Sequence, residues 1–217
     1  MRHKGCIFDL DGTLADSLES IAYNANRALE QFGFAPNPVE NYKQYAGDGA
    51  LTMIQRALLA AGDDVLANLE QVYAVYLAYF EKDCMYHVRP YPGICPLLRE
   101  LKRREIKIAV LSNKPHERCV DVVNALFGAK YFDLVFGMTD ERTKKPDPAG
   151  ALAIAQAWNI APQSCVYVGD TDTDMKTGQA AGMFTVGVTW GFREERELSA
   201  FSVQAIVDDP AGLLKFF

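Results

Sequence analysis

The chain has 217 residues, enough to bury one good core and a smaller satellite, so one domain with an insertion or two small domains is expected. Hydrophobic residues make up 49% and charged residues 23%, ordinary for a soluble globular protein, and the net charge of −6 argues against a general nucleic-acid or anionic-membrane surface. Five cysteines, odd in number and without C-x-x-C spacing, read as reduced thiols of a cytoplasmic protein, and no apolar run is long enough to span a bilayer.

Gly5 to Phe8 is a short apolar run that reads as a buried strand, and it begins so close to Met1 that no signal peptide is expected. It ends in Asp9-Leu10-Asp11-Gly12-Thr13, which sets two carboxylates two residues apart. In extended backbone, residues i and i+2 project to the same side, so both acids should look into one volume beyond the carboxyl edge of a sheet. At ~4 Å and an effective dielectric of ~20 their repulsion is about 4 kcal/mol, which predicts a hard divalent cation with oxygen ligands. Asp, Gly and Thr are also ordinary turn residues, and D-x-D alone would be read as a solvated turn.

The period then changes. Asp16-Ser17-Leu18-Glu19 can box the start of a helix whose stripe is Leu18, Ile21, Ala22, Ala25, Leu29 and Phe32, stopped by Gly33. A short helix from about Val39 to Tyr45 leads to Ala46-Gly47-Asp48-Gly49-Ala50. Leu51, Ile54 and Leu58 then form a second stripe, and Leu69, Val72, Tyr73, Tyr76, Leu77 and Phe80 a third. From Arg89-Pro90-Tyr91-Pro92-Gly93 onward the signal alternates. Helices are expected at Ile94–Arg104, His116–Phe127, Pro148–Trp158 and Asp172–Ala181; strands at Ile106–Leu111, Leu134–Gly137, Ser164–Val168 and Phe184–Val188. Ala205-Ile206-Val207 follows, and Pro210 opens a last helix. This alternation argues for an α/β fold with a parallel sheet covered on both faces, its first strand being Gly5–Phe8 and the helical block an insertion. The expected division is a core of residues 1–15 and 87–217 and a helical domain of residues 16–86.

Three further segments put polar side chains at strand ends or in loops. Ser112-Asn113-Lys114 follows a strand, where a hydroxyl by itself reads as a helix cap. Lys144-Lys145-Pro146-Asp147-Pro148 would ordinarily be solvated surface. Gly169-Asp170-Thr171-Asp172-Thr173-Asp174 has D-x-D-x-D spacing, but Met175 and Ala181 stand where a calcium loop needs Gly and Glu. Asp172 is expected to cap the next helix. The three histidines form no H-E-x-x-H, and the chain has no G-x-S-x-G elbow and no Walker loop.

Asp9-Leu10-Asp11-Gly12-Thr13-Leu14 resembles, letter for letter, the first motif of the haloacid dehalogenase superfamily in its phosphatase form. The resemblance implies that Asp9 attacks phosphorus and that Asp11 protonates the leaving oxygen and later activates water. Dehalogenases of the superfamily lack the second acid, so Asp11 argues for phosphoryl transfer. Ser112 looks like the second motif, which hydrogen-bonds the phosphoryl group, with Asn113 lining the pocket beside it. Lys145 in K-P-x-P looks like the third motif, and Asp170 and Asp174 in G-D-x-x-x-D the fourth. By the same likeness Mg²⁺ would be held by Asp9, a backbone carbonyl at Asp11, Asp170 and waters, with Asp174 acting through water or orienting the site. Thr13 would face the substrate. The fold implied is a doubly wound, Rossmann-like core with an all-helical cap inserted after the first strand.

Gly47-Asp48-Gly49-Ala50-Leu51 resembles the corresponding cap segment of phosphoglycolate phosphatases, so Gly47 and Gly49 are expected to approach a small carboxylate through backbone. A Mg²⁺-dependent phosphatase of a small phosphorylated metabolite, best guess 2-phosphoglycolate, is therefore expected, as a monomer or homodimer with no nucleic-acid or membrane partner. Sugar-phosphate phosphatases, pyrophosphatases and phosphomutases share much of the pattern. A phosphonate hydrolase would use a cap lysine, Lys43 or Lys82, as a Schiff base, and a receiver-type phosphoacceptor would need no cap.

Overall fold

A computed structural model of the chain describes residues 3–140 and 144–217. The chain divides into two compact units, one of Met1–Asp16 with Pro90–Phe217 and one of Ser17–Arg89. Its strands are, in order, β1 Gly5–Phe8, β2 Ala15–Asp16, β3 Arg89–Pro90, β4 Lys107–Pro115, β5 Leu134–Met138, β6 Cys165–Gly169, β7 Phe184–Val188 and β8 Ala205–Val207. The short β2 and β3 form a two-stranded sheet, and the other six form one sheet in the order β5-β4-β1-β6-β7-β8. Every pairing in that larger sheet is parallel.

Strands buried on both faces carry continuous apolar runs, and the central strands do: all of β1 and all of β6 are buried. On one face Ile7, Ala109, Leu111, Cys165 and Tyr167 pack with Ala151, Ile154 and Ala155 of α7, Ala149–Ala157. Helix α8, Asp172–Ala180, lies close to the sheet at Gly178, where an added methyl carbon would meet Thr185 and Tyr167. The remaining helices of this unit are α5 Ile94–Arg103, α6 His116–Phe127 and α9 Glu195–Leu198.

The second unit holds α1 Leu18–Gln31, α2 Tyr42–Tyr45, α3 Ala50–Ala60 and α4 Leu69–Asp83. The α1 stripe buries Leu18, Ile21, Ala22, Ala25 and Leu29, while α4 buries Val72, Tyr76 and Phe80. On α3 the buried residues are Met53, Ile54, Ala57 and Leu58, and Leu51 is only half-buried. A polar knot closes the α1–α2 connection. The Asn26 carboxamide accepts from Asn37 N at 2.8 Å and from Tyr42 Oη at 2.7 Å, and donates to Asn37 O at 2.9 Å.

Several elements differ from the sequence expectation, the short β2 and β3 among them. Strand β4 runs four residues past Leu111, to Pro115, because its pairing with β5 shifts register between Leu111 and Pro115. The last helix, Pro210–Phe216, is a 3₁₀ helix capped by Asp209, whose side chain accepts from Ala211 N at 3.0 Å. Helix α9 was not expected; Glu194 and Glu197 build its capping box.

Candidate active site

Strand β1 lies between β4 and β6, with Phe8 opposite both Val110 and Val168. The sequence order of the strands reverses at β1, which is where open α/β sheets keep their ligands. The residues just beyond these registers, Asp9, Ser112 and Asp170, therefore come to one edge of the sheet.

Asp9 is buried, and its Oδ1 accepts from Leu10 N at 2.7 Å and lies 2.8 Å from Lys145 Nζ. Lys145 Nζ also donates to Asp174 Oδ1 at 2.7 Å, so one enclosed ammonium bridges two carboxylates. The other oxygen of Asp174 is held by Thr171, whose Oγ1 and N donate to Oδ2 at 2.6 and 3.1 Å, while Tyr167 Oη donates to Oδ1 at 3.4 Å. Asp170 accepts from Thr13 Oγ1 at 2.7 Å and from Phe192 N at 2.8 Å. Asn113 fixes the lysine loop: its carboxamide accepts from Lys145 N at 2.8 Å and donates to Lys145 O at 3.0 Å.

Among the described residues, Asp9, Asp170 and Asp174 form a group whose ligand oxygens lie within 4.8 Å of one another. Burial, then the Asp174 charge, raise the Asp9 carboxyl well above the usual range despite Lys145. The same two causes push Asp170 up to about 7 against the bonds from Thr13 and Phe192. Burial alone would lower Lys145, but Asp174 and Asp9 outweigh it and hold the ammonium above its ordinary range. When all three acids are ionised, the one ammonium bonded to them among the described residues leaves two negative charges in a closed space. Hard oxygen donors and that charge deficit fit a hard divalent cation.

Glycines make room for these acids. Gly12 has φ +85°, and a methyl carbon there would overlap the Asp170 carboxylate; one at Gly169 would overlap Asp174. Gly191 packs over Gly12 O and Asp170 in the same manner. Gly12→Ala is expected to weaken cation affinity about 10- to 100-fold, read by titrating the thermal shift with Mg²⁺. An unchanged titration would mean that Asp170 is not a ligand.

Asp11 stands apart from the carboxylate group. Its two oxygens accept from Lys114 Nζ at 2.8 and 3.0 Å, which leaves its expected backbone-carbonyl contribution to the metal unaffected. Ser112 is buried at the same edge; it caps no helix, since Pro115 precedes α6, and its Oγ accepts from Lys114 N at 3.3 Å. Thr13 is turned to Asp170, and Asn113 to Lys145. Thr171, not Asp172, caps α8, because Thr171 is the residue with extended backbone; Asp172 pairs instead with Lys176 at 2.7 Å. Gly47 and Gly49 lie in the helical unit with φ +118° and +88°, and Gly49 precedes the first residue of α3. Sequence reasoning missed Lys114 and Tyr167. Both lie on strands, and no local signal told that their polar ends point to the site.

The sequence profile described as haloacid dehalogenase-like hydrolase matches residues 6–188. A phosphoglycolate phosphatase of Pseudomonas putida is 34% identical over 214 residues, covering 96% of this chain and 77% of that protein. One from Psychrobacter arcticus is 31% identical over 216 residues, covering 97% and 94%. A crystal structure from Lactobacillus delbrueckii subsp. bulgaricus superposes with a TM-score of 0.91 at 29% identity, covering 98% of this chain and 97% of that one.

Proposed function

This chain belongs to the haloacid dehalogenase-like hydrolase family, and we propose that within it the protein is a Mg²⁺-dependent phosphatase of a small carboxylated phosphate ester, 2-phosphoglycolate. The observation that carries this reading is the buried Asp9–Lys145–Asp174 bridge beside Asp170. A carboxylate at a strand tip is thereby held still, next to a cation that would receive phosphoryl oxygens. Relatives that bear the name phosphoglycolate phosphatase over nearly the whole chain support the substrate.

In this mechanism Asp9 attacks phosphorus while the ester P–O bond breaks. Oδ1 is committed to Leu10 N and Lys145, so Oδ2 is the attacking atom. Asp11 gives its proton to the departing alkoxide, leaving an acyl phosphate on Asp9. Asp11 then takes a proton from water, the water oxygen attacks phosphorus, and inorganic phosphate leaves with Asp9 restored. Lys145 and Ser112 hold the equatorial oxygens. When bound at Asp9, Asp170 and Asp174, Mg²⁺ supplies neutralisation of the phosphoryl charge. The helical unit Ser17–Arg89 is the cap of the family in this proposal, and the cytoplasm is the compartment that its five free thiols suit.

The test is phosphate release over a panel of small phosphate esters, with Mg²⁺ and with EDTA. The expected outcome is that 2-phosphoglycolate has the highest kcat/KM and that EDTA reduces turnover at least ~100-fold. Added Mg²⁺ should also raise Tm, because it binds only the folded acids. Full activity in EDTA would contradict the metal; a better substrate without a carboxylate would contradict the substrate.

A further inference from the structure

The ammonium of Lys114 is the second enclosed cation of the site, its side chain only 3% exposed. An ammonium is costly to bury without an anionic partner, and here the partner is Asp11, both of whose oxygens it engages at 2.8 and 3.0 Å. Lys114 also lies two residues past Ser112 on β4, with its backbone N bonded to the Ser112 hydroxyl.

That placement conflicts with the work assigned to Asp11. A carboxyl group that serves the leaving oxygen must face that oxygen, yet Lys114 engages both of its oxygens. In a 2-phospho-carboxylate the carboxyl group is attached to the carbon that bears the ester oxygen. The group that serves the ester oxygen and the group that receives the carboxylate must therefore be neighbours, as Asp11 and Lys114 are.

We propose that Lys114 is the residue that recognises the substrate's carboxylate, and that Asp11 occupies it as an internal stand-in until substrate arrives. Exchange of one carboxylate for another leaves the charge around the buried ammonium unchanged and frees Asp11 to take a proton from solvent and turn to the leaving oxygen. The inference rests on the carboxylated-substrate reading above. It deepens that reading by naming the cation and the reach: an anion on the carbon next to the ester oxygen.

The experiment compares Lys114→Met and Lys114→Arg with wild type on 2-phosphoglycolate and on ethyl phosphate, which lacks the carboxylate. Activity of Lys114→Met should fall on both substrates, since Asp11 loses its partner. The loss in kcat/KM should be at least tenfold greater on 2-phosphoglycolate and fall mainly on KM. Inhibition of ethyl phosphate turnover by glycolate should weaken by a similar factor, and Lys114→Arg should recover part of both. Equal losses on the two substrates, with glycolate inhibition intact, would overturn the proposal and leave Lys114 a positioning residue for Asp11. A wild-type enzyme with no preference for 2-phosphoglycolate would instead overturn the substrate reading, and this inference with it. If Lys114→Met does not fold, Lys114→Gln reads the same ratio.

Discussion

Asp9→Asn is expected to lower kcat by about 10⁴-fold or more, ~5 kcal/mol of transition-state stabilisation, while leaving the fold intact. The amide has neither the charge nor the nucleophilicity to attack phosphorus, and among the described residues no neighbouring acid is placed to replace it. Asp170 is bonded to Thr13 and Phe192, Asp174 to Lys145 and Thr171, and Asp11 to Lys114. Stability should move the other way. Burial and Asp174 raise the Asp9 carboxyl above its unfolded value, so its contribution to folding is full below the unfolded pKa and is lost as pH rises through the raised folded one. Neutral Asn avoids that cost, and Lys145 keeps Asp174 as its partner. In the absence of Mg²⁺ at neutral pH, Tm of the variant should equal or exceed that of wild type, the trade expected where an active site holds a destabilising charge. Appreciable residual turnover, with mass spectrometry showing no deamidation to Asp, would remove Asp9 from the nucleophile role.

Lys145→Met should be the most damaging change outside the nucleophile. The ammonium is enclosed between Asp9 and Asp174 at 2.8 and 2.7 Å, and its removal takes that cation away from the three buried acids. Removing one partner from a buried ion pair costs about 3–5 kcal/mol of stability. Loss of a preorganised charge aimed at the transferring group costs about 10²–10³ in kcat. The stability loss should be larger in EDTA than in Mg²⁺, because a divalent cation partly compensates the same carboxylates. Lys145→Arg should not rescue the enzyme: the site encloses a compact ammonium, and a planar guanidinium needs both more volume and a different fan of acceptors. Denaturant unfolding with and without Mg²⁺, with kcat on 2-phosphoglycolate, checks both effects. Stability close to wild type in EDTA would show that Lys145 does not neutralise these acids.

The residues that meet at the candidate site were legible in part because each carries a local pattern. Asp9 and Asp170 follow apolar strands and Ser112 follows the apolar run within β4, and a parallel sheet turns the ends of such runs to one edge. The order itself was not legible, since β1, β4 and β6 are all apolar runs with no mark of who pairs with whom. Lys114 escaped for a related reason. Its burial depends on β4 continuing to Pro115 through a register shift, and nothing in Ser112-Asn113-Lys114 signals one. Thr171 and Asp172 are both good helix caps, and only the extended backbone at Thr171 decides between them. Leu51 counted as core on periodicity alone; Met53 and Ala57 share the buried face of α3 instead, a matter of which neighbours that helix meets.

The central claim is that phosphate passes through a covalent bond to Asp9. Enzyme turning over ³²P-labelled 2-phosphoglycolate, quenched in acid within the first turnovers, measures it directly. The proposed chemistry predicts acid-stable, hydroxylamine-labile ³²P on the protein; in a parallel sample tritiated borohydride should expel that phosphate and leave tritiated homoserine at residue 9, in the tryptic peptide from Gly5 to Arg27. Label on another residue, or no label together with inversion of configuration at phosphorus, would contradict it.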